Sequence, residues 1–142
     1  MLSGTEVTGL LRSRGYKATP QRLAIYDALA HTTAHPSADM LFRELQPHYP
    51  TMSIATVYKT LDILCAVGIA QELNVGEEAF RYDANVTSHP HVRCLGCGRV
   101  DDVPALDDAG ILQEAGASTG YAITGQQIYL FGLCPACQKN KH

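Results

Sequence analysis

The sequence predicts an α+β chain in two parts: a helical first half closed by a β-hairpin, then a smaller half of strands around one helix. Three observations lead there. Four segments before Gly68 carry apolar positions at helical spacing, each with a start or stop signal. Two short strand-like segments follow, over 69–74 and 79–83. Beyond Ser88 the apolar period changes, and two tight cysteine pairs, Cys94-Leu-Gly-Cys97 and Cys134-Pro-Ala-Cys137, frame the remainder. The expected division is residues 1–83, a polar uncharged linker over 84–88, and residues 89–142.

The first helix is expected from Thr5 to Arg14, with Val7, Leu10 and Leu11 on its apolar side and Gly15 stopping it. Thr19 caps the second, with Pro20 at a position where its missing donor does no harm. Leu23, Tyr26 and Ala30 share a face there, beside Ile25 and Leu29. Pro36-Ser37 opens the third, through Met40, Leu41 and Leu45 to Pro47. Ser53 caps the fourth, whose Ile54, Val57, Leu61 and Leu64 form a buried stripe ended by Gly68. Strands at Ile69–Asn74 and Ala79–Asp83, turning near Gly76, complete a winged helix-turn-helix pattern. The helix after Ser53 is then the recognition helix. Its other side is expected to show Thr56, Lys59 and Thr60, with Tyr58 at the flank: a cation for phosphate, hydroxyls, and a ring for a thymine methyl. Further on, strands are expected at His89–Arg93, Arg99–Val103, Tyr121–Thr124 and Gln127–Phe131. A short helix is expected from Asp107 to Ala115, started by Asp107 or Asp108.

A chain of 142 residues builds one domain or two small ones. No stretch approaches the roughly 20 apolar residues that cross a bilayer, and no signal-peptide pattern opens it. Five cysteines, four of them at metal-ligand spacing, point to a reducing cytoplasm. Cys65 reads as a small core residue. Net charge is −3, split as seven basic and nine acidic residues in 1–83 and four and five beyond. Between Glu6 and Asp27, however, Arg12, Arg14, Lys17 and Arg22 stand without an acid, a local positive patch.

Two residues between thiolates let both sulfurs reach one ion from one turn. Cys94, Cys97, Cys134 and Cys137 therefore describe a closed tetrahedral Zn2+ site that braces the fold and does no chemistry. A second set is harder. His89 and His91 lie at i and i+2, on one face of a strand. With His35, Asp83 and Asp102 they make a nitrogen and oxygen set suited to Fe2+ or Mn2+, and five ligands leave an octahedral ion one open position. Singly, each of these residues is most simply an ordinary loop or surface group, and spacing alone does not select the five.

Several motifs in order nevertheless do so. Gly15-Tyr-Lys-Ala-Thr-Pro-Gln-Arg22, His35-Pro-Ser-Ala-Asp39, Ser53-Ile-Ala-Thr-Val-Tyr-Lys-Thr-Leu61, Phe80-Arg-Tyr-Asp83, His89-Pro-His-Val-Arg-Cys94 and both CxxC pairs make the chain resemble the ferric uptake regulator (Fur) family of bacterial metal-dependent repressors. The resemblance covers nearly the whole chain. It implies an N-terminal winged-helix domain, a small C-terminal α/β dimerisation domain and a homodimer on double-stranded DNA. Within the family the chain is most similar to the peroxide-responsive (PerR) branch, whose regulatory ligands fall on His35, Asp83, His89, His91 and Asp102 and whose oxidised residues correspond to His35 and His89. Iron- and zinc-sensing relatives commonly place glutamate at Asp83 or Asp102. A further family site needs a His-His-Asp-His run and a later His; here those places read Ser88-His89-Pro90-His91 and Gln126-Gln127, which favours two metals per protomer.

The resemblance implies Lys17 in the minor groove and Tyr58 and its neighbours on an A·T-rich palindromic operator, with Arg22, Thr56 and Lys59 completing the DNA-binding set. An iron, manganese or zinc uptake regulator without peroxide sensing is the alternative within the family. Outside it, a thiol-redox enzyme could use Cys134 and Cys137. That chemistry wants the first cysteine at a helix N-terminus, and the five residues after Cys137 are expected to be too few for such a helix. A non-enzymatic regulator is the expectation.

Overall fold

The computed structural model describes residues 2–75, 79–86, 90–104 and 109–139. The chain divides into two compact units, Met1–Val86 and Thr87–His142.

In the first unit, helix α1 (Gly4–Ser13) begins one residue earlier than expected because Ser3 caps it. The Ser3 hydroxyl accepts from the Glu6 amide while the Glu6 carboxylate accepts from the Ser3 amide, a reciprocal cap. Helices α2 (Pro20–Ala30), α3 (Ala38–Leu45) and α4 (Ile54–Ala66) start where Thr19, Ser37 and Ser53 accept a backbone amide three residues on. Strands β1 (Gln71–Leu73) and β2 (Arg81–Asp83) pair antiparallel, Gln71 opposite Asp83. The expected turn at Gly76 lies outside the described residues. Val7, Leu11, Ile25, Leu29, Leu41, Val57, Leu61 and Leu64 are the centre of the core.

Two expectations about helix faces need correcting. Thr60 is buried, 1% exposed, rather than on the outer side of α4. Helix α4 packs on α2, α3 and β1 together, so its buried side is wider than one stripe and takes in Thr60 and Ile63. Met40 is 42% exposed; Ala38, Leu41 and Leu45 carry the burial of α3.

In the second unit, β3 (His91–Cys94) is the middle strand of a three-stranded sheet. Strand β4 (Val100–Asp102) runs antiparallel to it, placing His91 opposite Asp102. Strand β5 (Tyr129–Gly132) runs parallel to it on the other side. Helix α5 spans Ala109–Thr119, ending four residues later than expected; Asp107 and Asp108, its expected start, lie outside the described residues. Tyr121–Thr124 forms no strand, and Tyr121 is 77% exposed. A further short helix, α6 (Pro135–Lys139), begins directly after Cys134, where none was expected. No helix among the described residues is long and apolar enough to cross a membrane.

Candidate metal centres and nucleic-acid face

Cys94 ends β3, and the chain turns back through Leu95-Gly96-Cys97 to β4. The turn closes with the Gly98 amide on the Cys94 carbonyl at 2.9 Å. Gly98 has φ +79°, a conformation only glycine adopts freely. At Gly96 a Cβ would stand 2.9 Å from the Cys137 sulfur, so the second pair approaches this turn over a residue with no side chain. The four sulfurs lie within 4.8 Å of one another, with Cys97 Sγ and Cys134 Sγ 3.9 Å apart.

The electrostatics of this cluster fit a cation. The Cys94 sulfur accepts amides from Cys134 (3.3 Å), Cys97 (3.5 Å) and Gly96 (3.3 Å). These bonds, the Cys134 amide first, pull its thiol down from the usual 9.0 to about 5. Cys137 moves the other way, to about 12, because its sulfur bonds first to Cys94 and then to Cys134, and its proton is shared. A thiol that ionises readily, with three more sulfurs close by, is a site where a divalent cation displaces protons. Four soft donors this close together, with backbone amides on the Cys94 and Cys134 sulfurs, match what Zn2+ takes in a closed site.

The helix α6 removes one argument against thiol-redox chemistry, since Cys134 does precede a helix N-terminus. What speaks against that chemistry is the surroundings. Cys134 faces Cys97 as well as its own CxxC partner, and the thiol that is lowered belongs to Cys94.

The harder ligand set appears as one histidine–aspartate pair in each unit. In the first, His35 Nε2 lies 3.2 Å from Asp83 Oδ2, with His35 2% exposed and Asp83 nearly buried. Asp83 Oδ1 also accepts the Asn85 amide at 2.9 Å. In the second, His91 Nε2 lies 3.3 Å from Asp102 Oδ1, across the β3–β4 register, with His91 buried and Asp102 41% exposed along its side chain. Imidazole nitrogens and carboxylates are the donors that Fe2+ and Mn2+ take. His89, the fifth expected ligand, lies outside the described residues.

His35 itself is held unusually. Its φ is +51°, the single positive value for a non-glycine among the described residues. The Arg81 guanidinium donates to the His35 carbonyl at 3.0 Å. Sequence reasoning passed over both Arg81 and Gly96. A glycine inside CxxC was the available signal for the latter; nothing local marked Arg81.

Of the expected DNA-facing residues, Lys17 and Lys59 are exposed, Tyr58 is 45% exposed, and Arg22 and Thr56 are half-buried. Arg22 donates to the Lys17 carbonyl at 2.9 Å and so shapes the loop that carries Lys17. Thr56 caps with Ser53, their hydroxyls 3.0 Å apart.

The Ferric uptake regulator family model matches residues 13–131. A transcriptional regulator PerR from Clostridium acetobutylicum is 43% identical over 133 residues, covering 94% of this chain and 96% of that protein. The solved structure of PerR from Streptococcus pyogenes, described for peroxide sensing and gene regulation, is 36% identical and covers 97% of this chain and 95% of that one, with a TM-score of 0.56. The ferric uptake regulator Fur from Helicobacter pylori covers 94% of this chain and 90% of its own, with a TM-score of 0.80; at 21% identity it bears on the fold alone.

Proposed function

The chain belongs to the ferric uptake regulator family, and from there we propose that it is a metal-dependent transcriptional repressor that releases DNA on exposure to peroxide. The observation that carries the reading is a buried histidine with its Nε2 against an aspartate oxygen in each unit, His35 with Asp83 and His91 with Asp102. Aspartate at both positions, and relatives that are peroxide regulators at 34–43% identity, support this branch.

In the proposed scheme residues 1–83 bind DNA, 84–88 link, and 89–142 dimerise. The protein works as a homodimer in the bacterial cytoplasm. Cys94, Cys97, Cys134 and Cys137 hold Zn2+ and fasten the end of β5 beside β3. His35, Asp83, His89, His91 and Asp102 together hold Fe2+ or Mn2+, so that one set of ligands joins both units. The ligand-joined arrangement is the one that sets Lys17, Arg22, Thr56, Tyr58 and Lys59 on an A·T-rich palindrome. It is favoured only by as much as the ligands bind better in it, tenfold for each 1.4 kcal/mol or so. Iron held there would supply the reduction of hydrogen peroxide at ligand distance, by which one peroxide oxygen enters an imidazole C–H bond and the other leaves as water, a two-electron oxidation of the ring. His35 and His89 are the imidazoles that take up oxygen. An oxidised imidazole no longer offers its lone pair, the ligand set loosens, and the two units lose the tie between them.

The test is peroxide treatment of iron-loaded protein, read by peptide mass and by operator binding. Expected are one added oxygen atom on a His35- or His89-containing peptide and loss of DNA binding, with manganese-loaded protein resisting both. Unchanged peptides and equal behaviour of the two metals would leave a metal-uptake regulator of the same family and remove the peroxide role.

A further inference from the structure

The motif Phe80-Arg-Tyr-Asp83 supplies Asp83 to the metal reading and leaves Arg81 without a role. Arg81 is buried, 8% exposed, in the middle of the DNA-binding unit. A buried guanidinium must bond to something worth its desolvation. One of its bonds goes to the carbonyl of His35, at 3.0 Å.

That carbonyl belongs to the one described non-glycine residue with positive φ. The left-handed region is uncommon for a residue with a Cβ. The residue before a proline is steered toward extended backbone besides, and Pro36 follows. His35 therefore holds this conformation against two local preferences, which persists only when the surroundings over-determine it.

Strand β2 does that with three consecutive residues. Arg81 donates to the His35 carbonyl. The Tyr82 amide donates to the Pro36 carbonyl at 2.9 Å. Asp83 Oδ2 meets His35 Nε2 at 3.2 Å. Arg81 and Asp83 stand at i and i+2, on one face of the strand. One takes the backbone of His35 and the other its imidazole.

We propose that Arg81 is the positioning residue of the regulatory site: it fixes the His35 peptide in the left-handed conformation that turns the imidazole to Asp83, and so sets metal affinity without touching the metal. The proposal rests on the reading of His35 and Asp83 as metal ligands. It adds that the wing strand and the ligand loop move as one piece, so that loosening His35 disturbs β2 directly.

The experiment is a double-mutant cycle on the zinc-loaded full-length chain, with Mn2+ as the redox-silent probe. Arg81→Met should weaken Mn2+ binding about tenfold, the low end of what lost outer partners of metal ligands cost. In a His35→Ala background the same substitution should change affinity by less than about twofold, because its effect runs through His35. Arg81→Lys, which keeps a donor and the charge, should recover part of the loss, and it carries the test if Arg81→Met fails to fold. Equal losses with and without His35, or no loss at all, overturn the positioning role. In the Mn2+-free protein, amide exchange at Tyr82 should quicken in Arg81→Met; protection unchanged there also overturns it. Mn2+ affinity unchanged by His35→Ala alone would instead sink the ligand reading, and the exchange measurement then still decides whether the clamp exists.

Discussion

Cys65 sits half-buried on α4, where burial first, then Glu72 and Asp62, push its thiol from 9.0 up to about 11. The folded state favours the protonated form. Its contribution to stability is therefore whole below pH 9 and is lost as pH rises through about 11. Thiolate is the reactive species, so a shift of two units slows alkylation about 100-fold near pH 8. Alkylating the zinc-loaded protein across pH 7 to 11 and reading the Cys65 peptide by mass should give a rate still climbing at pH 10. A rate half-maximal near pH 9 and level by about pH 10 would mean the thiol is unshifted. Burial of this lone cysteine was legible because its neighbours on α4 are apolar at helical spacing. Thr60 was misjudged on the same helix, since a hydroxyl residue at the edge of a stripe gives no sign that α2, α3 and β1 will all pack on α4. The left-handed His35 was illegible for a different reason: its conformation is imposed by Arg81, Tyr82 and Asp83, 46 residues and more away in sequence.

Helices were read well where a local cap decides them and poorly where tertiary contacts do. Thr19, Ser37 and Ser53 each accept an amide three residues on, and α2, α3 and α4 begin after them. The Cys residues were legible as a cluster, but α6 was not, because the short helix depends on the turn that the cluster builds. Strand β5 is the element most exposed to this dependence. It lies parallel to β3, with Leu130 and Phe131 exposed. Its C-terminal end is tied back by the Leu95 amide on the Gly132 carbonyl and by the Cys134 amide on the Cys94 sulfur. Replacing that sulfur removes the acceptor of three amides and one of four proposed zinc ligands together. Cys94→Ser should therefore lower bound zinc below one per chain and, in parallel, dissociate the proposed dimer at higher protein concentration than wild type. Zinc analysis with analytical ultracentrifugation decides it: a zinc-replete dimer of unchanged affinity would show that the cluster is not what braces β5.

The two units carry unlike chemistry, which is where sequence reading alone went furthest and where the proposal is most exposed. The first supplies the proposed DNA-facing side chains and the His35–Asp83 pair; the second supplies the His91–Asp102 pair. If one ion takes ligands from both, its effect on DNA affinity belongs to neither unit alone. Coupling between two sites is a free energy, and removing either half of the tie abolishes it. A metal site local to one unit behaves otherwise, since its loss leaves the other unit's histidine irrelevant. His35→Ala and His91→Ala should then each reduce the Mn2+-dependent gain in operator affinity from about tenfold or more, a coupling of about 1.4 kcal/mol, to near unity. The metal-independent, salt-sensitive part of binding should survive in both, because it comes from Lys17, Lys59 and their neighbours and not from the tie. Measuring operator affinity of zinc-loaded protein with and without Mn2+, at two salt concentrations, separates the two contributions. Retention of the full Mn2+ gain in either variant would confine the ion to one unit and end the account of metal as the link between them.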